Sequence, residues 1–225
     1  MLEGRLTIRV VITLMCGNVP EFISDVVSLY DEDARLLNYD KFTELTASLR
    51  IGSVVLGVFG GSGGLVRVEL TMDGCTPLSN YGDLIAVYRK LMMSKFISNS
   101  SIKQLEVTCT YEAYVPLTTK LKYGPKYVCK VLSNYGILVS EVNSDVIDGM
   151  ELVGVSGTYV IGGLGVLKLT YVALLRNYAV RSSLSISRRL MVDEFNEQLI
   201  KRLSTELYVL AQSINEELYL KGLPR

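Results

Sequence analysis

Histidine and tryptophan are absent from the 225 residues, and 23 basic side chains balance 23 acidic ones. Without histidine there is no imidazole base for Ser-His-Asp or Cys-His catalysis and no histidine ligand for a metal. A net charge of zero removes the simplest electrostatic argument for a nucleic-acid partner. We therefore expect no metal, no cofactor and no nucleic acid. An enzyme would need a Tyr, Lys or carboxylate acid–base pair, and no spacing in the sequence nominates a catalytic residue.

Cysteine is scarce and scattered, at Cys16, Cys75, Cys109 and Cys129, with no CxxC pair. This spacing does not resemble a zinc-ligand set. The even number leaves two disulfides open, but buried thiols are typical of a cytosolic chain unless its source is a hyperthermophile. The first residues, Met1–Arg5, lack the charged and apolar regions of a signal peptide. We therefore expect a cytoplasmic protein.

One long stretch, Leu152–Leu175, contains a single charged residue, Lys168, and is about long enough to span a bilayer. Five glycines interrupt it, and apolar and polar residues alternate between Val166 and Val172. This pattern is typical of two strands around a Gly-Gly turn and not of a spanning helix. The chain is therefore not predicted to be transmembrane.

Strict alternation predicts strands, most clearly where one apolar and one polar face can be traced over many residues. The predicted strands cover 5–14, 54–59, 66–72, 104–113, 126–131, 136–142, 150–160 and 165–173. The charged segment 31–40 predicts a loop or a short second helix, and the segment 42–51 is ambiguous. Residues Gly60–Gly64 connect two strands, so we interpret them as a hairpin tip. A phosphate loop would instead need a helix and a Lys after the glycines.

Helical spacing of apolar residues predicts three helices. The first follows Asn18, a suitable N-cap, and the second spans about 80–97. The third begins near Ser185 or Ser187 and continues almost to the end of the chain. Its apolar stripe consists of Phe195, Leu199, Leu203, Leu207, Leu210, Ile214 and Leu218.

These elements predict an α+β fold in which an antiparallel β-sheet packs on a long C-terminal α-helix, with an extra helix near 80–97. The 225 residues are expected to form a single α+β domain. A weak duplication, with halves 1–99 and 100–225, stays open because Gly64–Val68 is similar to Gly165–Leu169. Any two α+β segments share such features, so the similarity does not decide between the two.

Lysines and tyrosines are interleaved between positions 120 and 130. Cations between stacking rings are typical of grooves for single-stranded nucleic acid. If this segment is a strand, however, Lys126 and Lys130 share the solvated face while Tyr127 points into the core. We therefore predict no nucleic-acid groove here. The set consists of Lys120, Lys122, Tyr123, Lys126, Tyr127 and Lys130.

The predicted inward-facing side chains Cys109, Tyr111, Tyr127 and Tyr171 form the candidate ligand-binding set. A buried phenol needs a hydrogen-bond partner. In a solid core that partner is a group of the protein itself, whereas in a hollow core the hydroxyls would hold the polar end of a ligand. The sequence does not separate the two alternatives.

Three segments carry a resemblance to a known superfamily: Asn18–Asp25, the run from Asp40-Lys41-Phe42 to Ser48–Gly52, and Arg188–Phe195 leading into the last helix. Together they resemble the START/Bet v1-like (SRPBCC, helix-grip) superfamily, and distantly its group named after a component of carbon monoxide dehydrogenase. The resemblance implies a curved antiparallel sheet that grips the C-terminal helix around a cavity for an apolar or amphipathic small molecule. It carries over no catalytic residue.

Two functions follow as hypotheses. The first is a non-catalytic binding or carrier protein for a hydrophobic or amphipathic small molecule held between the sheet and the C-terminal helix. The second is a structural or interaction subunit, either a homo-oligomer or a partner-docking protein, with a filled core and no ligand.

Overall fold

The computed structural model describes residues 4–40, 45–98, 101–116, 125–147, 150–162, 164–176 and 179–221. It is an α+β protein with a large antiparallel sheet of ten strands and with four α-helices. The strands are β1 Gly4–Met15, β2 Arg35–Tyr39, β3 Thr46–Ile51, β4 Val54–Gly60, β5 Leu65–Cys75, β6 Ile102–Pro116, β7 Leu138–Ile147, β8 Met150–Ile161, β9 Gly165–Arg176 and β10 Ala179–Leu190. The helices are α1 Val19–Leu29, α2 Gly82–Leu91, α3 Pro125–Asn134 and α4 Glu197–Lys221.

The chain divides into two compact units. The N-terminal unit comprises Thr7–Val107 and Arg189–Arg202, and the C-terminal unit comprises Met1–Leu6, Thr108–Arg188 and Leu203–Arg225. Along the chain the order strand, helix, four strands, helix occurs twice, first from β1 to α2 and then from β6 to α4. The duplication hypothesis rests on this repeated order as well as on the two similar glycine-containing segments.

In the N-terminal unit the strands follow the order β2-β3-β4-β5-β1-β6. Strand β1 buries Ile8, Val10, Ile12 and Leu14 completely, while Arg9 between them is exposed. Helix α1 contacts β3 and β4, and α2 contacts β4 and β5, so both helices cover this buried face. The side chain of Asn18 accepts a hydrogen bond from the Glu21 N–H and caps α1, as predicted.

In the C-terminal unit the order is β6-β10-β9-β8-β7, and the paired strands β7 to β10 are all antiparallel. Helix α3 contacts β7 and β8. Strand β6 buries the predicted alternating set from Leu105 to Ala113. The predicted stripe of the last helix is also buried, at Phe195, Leu199, Leu203, Leu207, Leu210 and Ile214. The side chain of Leu218 lies outside the described residues.

The stretch Leu152–Leu175 lies in β8 and β9, which confirms its prediction as strands. Val155 of β8 pairs with Tyr171 of β9 in the antiparallel register. Within the described ranges, none of the helices combines the length and the apolar character that crossing a bilayer requires.

Three predicted elements were wrong. The segment 31–40, expected to be a loop or a short helix, contains β2, which pairs with β3 at the edge of the sheet. The segment 126–131, expected to be a strand, lies in α3, where Val128, Val131 and Leu132 are buried at helical spacing. Lys120, Lys122 and Tyr123 from the same lysine-rich run lie outside the described residues.

The last helix begins at Glu197, later than predicted. Ser185 and Ser187 lie in β10, where they pair with Thr170 and Lys168 of β9. The small polar residues were taken as a helix start, but they alternate with buried Leu184 and Ile186 on an open sheet face. The extra helix predicted at 80–97 is present and ends at Leu91.

None of the four cysteines forms a disulfide, and all four lie in the described residues. Cys16, Cys75 and Cys109 are buried, and Cys129 is half-buried. Burial raises the pKa of the Cys75 thiol to about 11, helped by the carboxylate of Asp73.

The predicted hairpin tip joins β4 to β5 and places the N-terminal unit's glycines under different constraints. Gly63 and Gly64 both have a positive φ, 69° and 77°. A Cβ atom at Gly64 would lie 2.6 Å from the carbonyl oxygen of Cys16, whereas a Cβ atom at Gly63 would meet nothing within 4 Å. The N–H of Cys16 donates to the Gly64 carbonyl at 2.8 Å, so this close approach also holds β1 to the hairpin.

We expect Gly64→Ala to lower the free energy of unfolding by about 3 kcal/mol, because it combines left-handed strain with a backbone collision. Gly63→Ala, the matched control, should cost only about 1 kcal/mol of strain. Urea unfolding monitored by circular dichroism measures both. Equal losses for the two variants would contradict the close approach of Gly64 to Cys16.

Candidate interaction surfaces

The structure places the four predicted ligand-binding residues in the C-terminal unit. Cys109 and Tyr111 lie on the buried face of β6, and Tyr171 lies on the buried face of β9. Tyr171 pairs with Leu184 of β10, the strand between β9 and β6. Tyr127 differs from the prediction: it is half-buried on α3 and not on a strand.

The hydroxyl of Tyr111 is bound by the protein's own helix. The amide Nε2 of Gln212 on α4 donates to it at 2.6 Å. The ring of Tyr208, one turn earlier on α4, meets the Tyr111 ring edge to face, with centroids 5.5 Å apart and an interplanar angle of 90°. The backbone of Gly4 lies close to the same hydroxyl, since a Cβ atom there would overlap it. At this point α4 therefore rests directly on the sheet.

These contacts also set the electrostatics of the phenol. Burial raises the pKa of Tyr111 above its ordinary value, the Tyr208 hydroxyl adds to the shift, and the Gln212 hydrogen bond opposes it. A neutral phenol held by an amide is a structural contact, and it is neither an acid nor a base at physiological pH.

A second polar contact joins α4 to the sheet. Ser182 of β10 donates to the side-chain oxygen of Asn215 at 3.0 Å, and both residues are buried. Tyr208, Gln212 and Asn215 are spaced by four and three residues, so they lie along one stripe of α4. Tyr135, just after α3, donates to the carbonyl of Ser213 on the same helix at 3.0 Å.

Sequence analysis missed Gln212 and Asn215. Both flank the apolar stripe of the last helix, next to Ala211 and Ile214. A polar residue beside a buried stripe is a detectable signal, because burial there requires a hydrogen-bond partner. The identity of that partner was not detectable, since Tyr111 and Gln212 are 101 residues apart in the chain.

The N-terminal unit contains an open pocket of about 530 Å³. It is lined by Ile102–Leu105 at the start of β6 and by Leu190–Asp193 at the end of β10. Leu105 is buried, while Lys103 and Asp193 are exposed and bring opposite charges to the rim. The volume is within the range of small-ligand sites. None of the four predicted ligand-binding residues, all of them described, lines this pocket.

Tyr88 of α2 lies behind the same segment. Its hydroxyl donates to the carbonyl of Val192 at 3.1 Å, and its ring packs on Phe195 with centroids 4.3 Å apart. Burial raises the pKa of Tyr88 to about 12, and the carboxylate of Asp193 adds to the shift. Tyr30, Tyr81 and Tyr88 each donate to a backbone carbonyl of their own unit, so their polar ends are satisfied within it.

The face of the C-terminal sheet opposite α4 is rich in hydroxyls. Thr110 bonds Ser185 at 2.9 Å, Ser185 pairs with Thr170, and Thr170 pairs with Ser156. These four residues form a row across β6, β10, β9 and β8, and all are half-buried. At the end of the β8–β9 hairpin the exposed Val160 and Val166 face each other in the register. This surface is neutral and mixed, which suits contact with a protein better than with an ion.

Each unit also has an outer strand whose edge is exposed. In the C-terminal unit this strand is β7, which pairs with β8 on one side only and carries Glu141 and Asp145. In the N-terminal unit it is β2, which pairs with β3 and carries Arg35. Such edges present unpaired backbone groups and are sites where another strand can add. Within the described residues, no cluster of three Cys, Asp or Glu side chains is close enough to hold a metal ion.

Comparison with known proteins identifies no family. No family model matches the chain, and no curated protein matches it. Among solved structures it is similar to the substrate-free duplicated taurocyamine kinase from Schistosoma mansoni, with 12% identity, 97% of this chain covered and a TM-score of 0.46. The chain spans about a third of that kinase, 32% of its length.

Two further solved structures match over nearly the whole length of both chains. The di-domain ARO/CYC BexL from the BE-7585A biosynthetic pathway has 10% identity, coverage of 97% and 99%, and a TM-score of 0.24. A protein of unknown function from Galdieria sulphuraria has 12% identity, coverage of 96% and 94%, and a TM-score of 0.22. At these scores the likenesses carry no argument about fold or function.

We expect Gln212→Leu to lower the free energy of unfolding by about 1 kcal/mol, because it removes the donor to the buried Tyr111 hydroxyl. Tyr111→Phe should restore part of that loss in the double variant, since both polar partners are then gone. Gln198→Leu, at an exposed position of the same helix, is the control. Urea unfolding of all four variants forms a double-mutant cycle, and strict additivity would contradict the contact.

Tyr88 predicts a loss of stability at alkaline pH. In the unfolded chain the phenol ionises near its ordinary pKa of 10, whereas in the folded chain it stays neutral up to about 12. Its contribution is therefore complete below pH 10 and is lost as pH rises from 10 to 12. Tyr88→Phe should make the free energy of unfolding fall less steeply over this range, and Tyr114→Phe, at an exposed tyrosine, should not. Identical slopes for wild type and Tyr88→Phe would refute the assignment.

Proposed function

We propose that this chain is a non-catalytic interaction protein with a filled helix–sheet layer, which binds partners on its exposed sheet surfaces. The observation that carries the proposal is the Tyr111 site. A carrier needs hollow space there, whereas Gln212 occupies the hydroxyl and Tyr208 covers the ring. A ligand would have to displace both, and the site would lose a hydrogen bond for each such displacement.

The exposed surfaces support the same function. Val160 and Val166 are exposed side by side on the open face of the C-terminal sheet, and Val172 is exposed further along β9. They alternate with hydroxyls and with Lys168, so the face combines apolar contact with hydrogen-bonding groups. Protein interfaces have this mixture, and enclosed carrier cavities are more uniformly apolar.

The finer features of the fold belong to this proposal. We infer a helix-grip arrangement for the C-terminal unit, in which α4 lies along a curved sheet, and we keep the likeness to SRPBCC proteins as its explanation. The direct contacts of Gln212 and Asn215 support the position of the helix. A cytoplasmic location stays a prediction from composition.

The pocket of the N-terminal unit favours a second candidate function. Its volume of about 530 Å³ and its mixture of Leu105, Met191, Lys103 and Asp193 suit a small amphipathic molecule. In this alternative the chain binds a small molecule at the end of β10 and not under the C-terminal helix. Met191→Arg, at an exposed position of the rim, would block such binding.

We expect a panel of fatty acids, isoprenoids and quinone analogues to leave the melting temperature of the wild-type protein unchanged, because a ligand raises it only by binding the folded state. Thermal denaturation with each compound measures this. The positive control is Leu207→Ala with small apolar compounds, since truncation of this fully buried side chain opens a void under α4.

A rise in melting temperature for the wild type would contradict the proposal, and two variants would then locate the ligand. Loss of the rise in Met191→Arg would assign it to the pocket of the N-terminal unit. Loss of the rise in Gln212→Leu would assign it to the helix–sheet layer and restore the carrier function.

A further inference from the structure

We propose that β7 of one copy pairs with β2 of a second copy, so that this chain assembles head to tail by extension of its sheet. The proposal rests on the proposed function as an interaction protein, and it names the partner and the contact. It is argued from the two outer strands, their exposed faces and their opposite charges.

Strand β7 offers a long free edge. Its ten residues pair with β8 on one side, and Leu138, Val142 and Val146 are exposed, Val146 by 71%. The N–H of Val146 bonds the carboxylate of Asp145 at 2.8 Å, where a further strand would otherwise take it. The edge therefore has the length and the backbone groups that strand addition requires.

The two faces of β7 differ in character. Val142 pairs with Val155, which is buried, so Val142 lies on the helix side of the sheet. Glu141 pairs with Ser156, which lies on the open face, and Asn143 donates to Glu141 at 3.1 Å on that same face. The open face of this edge is therefore acidic, and its helix-side face is apolar.

Acidic residues disfavour pairing of β7 with itself. An antiparallel pair centred on Asn143 would place Glu141 of each copy opposite Asp145 of the other, and like charges in opposing positions are destabilising. No Lys or Arg occurs in Leu138–Ile147 to offset this. The charges thus select against a symmetric β7–β7 contact and for a strand with a cation on its open face.

Strand β2 has the complementary pattern. Arg35 pairs with the exposed Arg50, which places Arg35 on the open face of the N-terminal sheet. Leu36 pairs with the buried Leu49, so it lies on the helix side, yet it is 50% exposed. Antiparallel addition of β2 to β7, with both open faces on the same side, brings Arg35 to the acidic residues and Leu36 to the valines.

This contact uses different surfaces on the two copies and is therefore heterologous. A heterologous contact leaves one free β2 and one free β7 at the ends of every assembly, so growth continues unless a ring closes. The ladder is limited by the five residues of β2, so we expect assembly only at high protein concentration.

Sedimentation equilibrium of the full chain tests the proposal over a wide range of concentration. The weight-average mass should rise with concentration past twice the monomer mass of 24.9 kDa. Arg35→Glu alone and the pair Glu141→Lys with Asp145→Lys alone should each weaken association at least tenfold, because β2 and β7 then carry like charge. Glu216→Lys, an exposed charge change on α4, is the control and should leave association unchanged.

Mixing the two impaired proteins provides the sharpest result. In the mixture each β2 meets a β7 of opposite charge on the other variant, so association should return to the wild-type level. Circular dichroism of each variant verifies that it is folded.

A wild-type mass of 24.9 kDa at all concentrations would overturn the contact, as would growth that stops at a dimer or a mixture that fails to associate. Binding of a basic, apolar-alternating peptide by a chain that stays monomeric would point to a different protein partner and also overturn it. None of these results touches the proposed function, which fails only if an apolar ligand stabilises the wild type.

Discussion

The contact between α4 and the buried face of the C-terminal sheet is the interaction on which the rest of the unit depends. An apolar stripe alone lets a helix shift along a sheet at small cost, because dispersion and hydrophobic contacts are not directional. Gln212 and Asn215 add direction, since each would leave a buried polar group unsatisfied if the helix moved. The same two contacts occupy the place where a carrier protein would keep its ligand.

Covering one face of an antiparallel sheet leaves the other face and the outer strands to be accounted for. On the open face of the C-terminal unit the solution is a row of hydroxyls from Thr110 to Ser156, which bond one another and tolerate water. On β7 it is the pair of carboxylates Glu141 and Asp145, which protect a long edge against its own copy. Protection of this kind is selective, because an edge that repels an acidic strand attracts a basic one.

The sequence errors share one physical cause. Strand β2 was missed because all but its last residue are exposed, so it shows no alternation, and its pairing with β3 defines it. Helix α3 was taken for a strand because Tyr127, Cys129 and Val131 alternate with lysines, although burial follows Val128, Val131 and Leu132. In β10 the serines resembled helix caps, because Ser is favoured both at caps and on an open sheet face.

Local periodicity in the sequence was sufficient to identify the strands β1, β6, β8 and β9, the stripe of the last helix, the Asn18 cap and the burial of Tyr111 and Tyr171. These features depend on residues a few positions apart, and the absence of histidine catalysis depends on composition alone. Tertiary structure alone decided that Gln212 holds Tyr111, that a pocket lies at the end of β10, and that β2 and β7 are outer strands. Each of these results requires groups far apart in the chain to meet, and a side chain's partner or a strand's free edge is not encoded in the residues next to it.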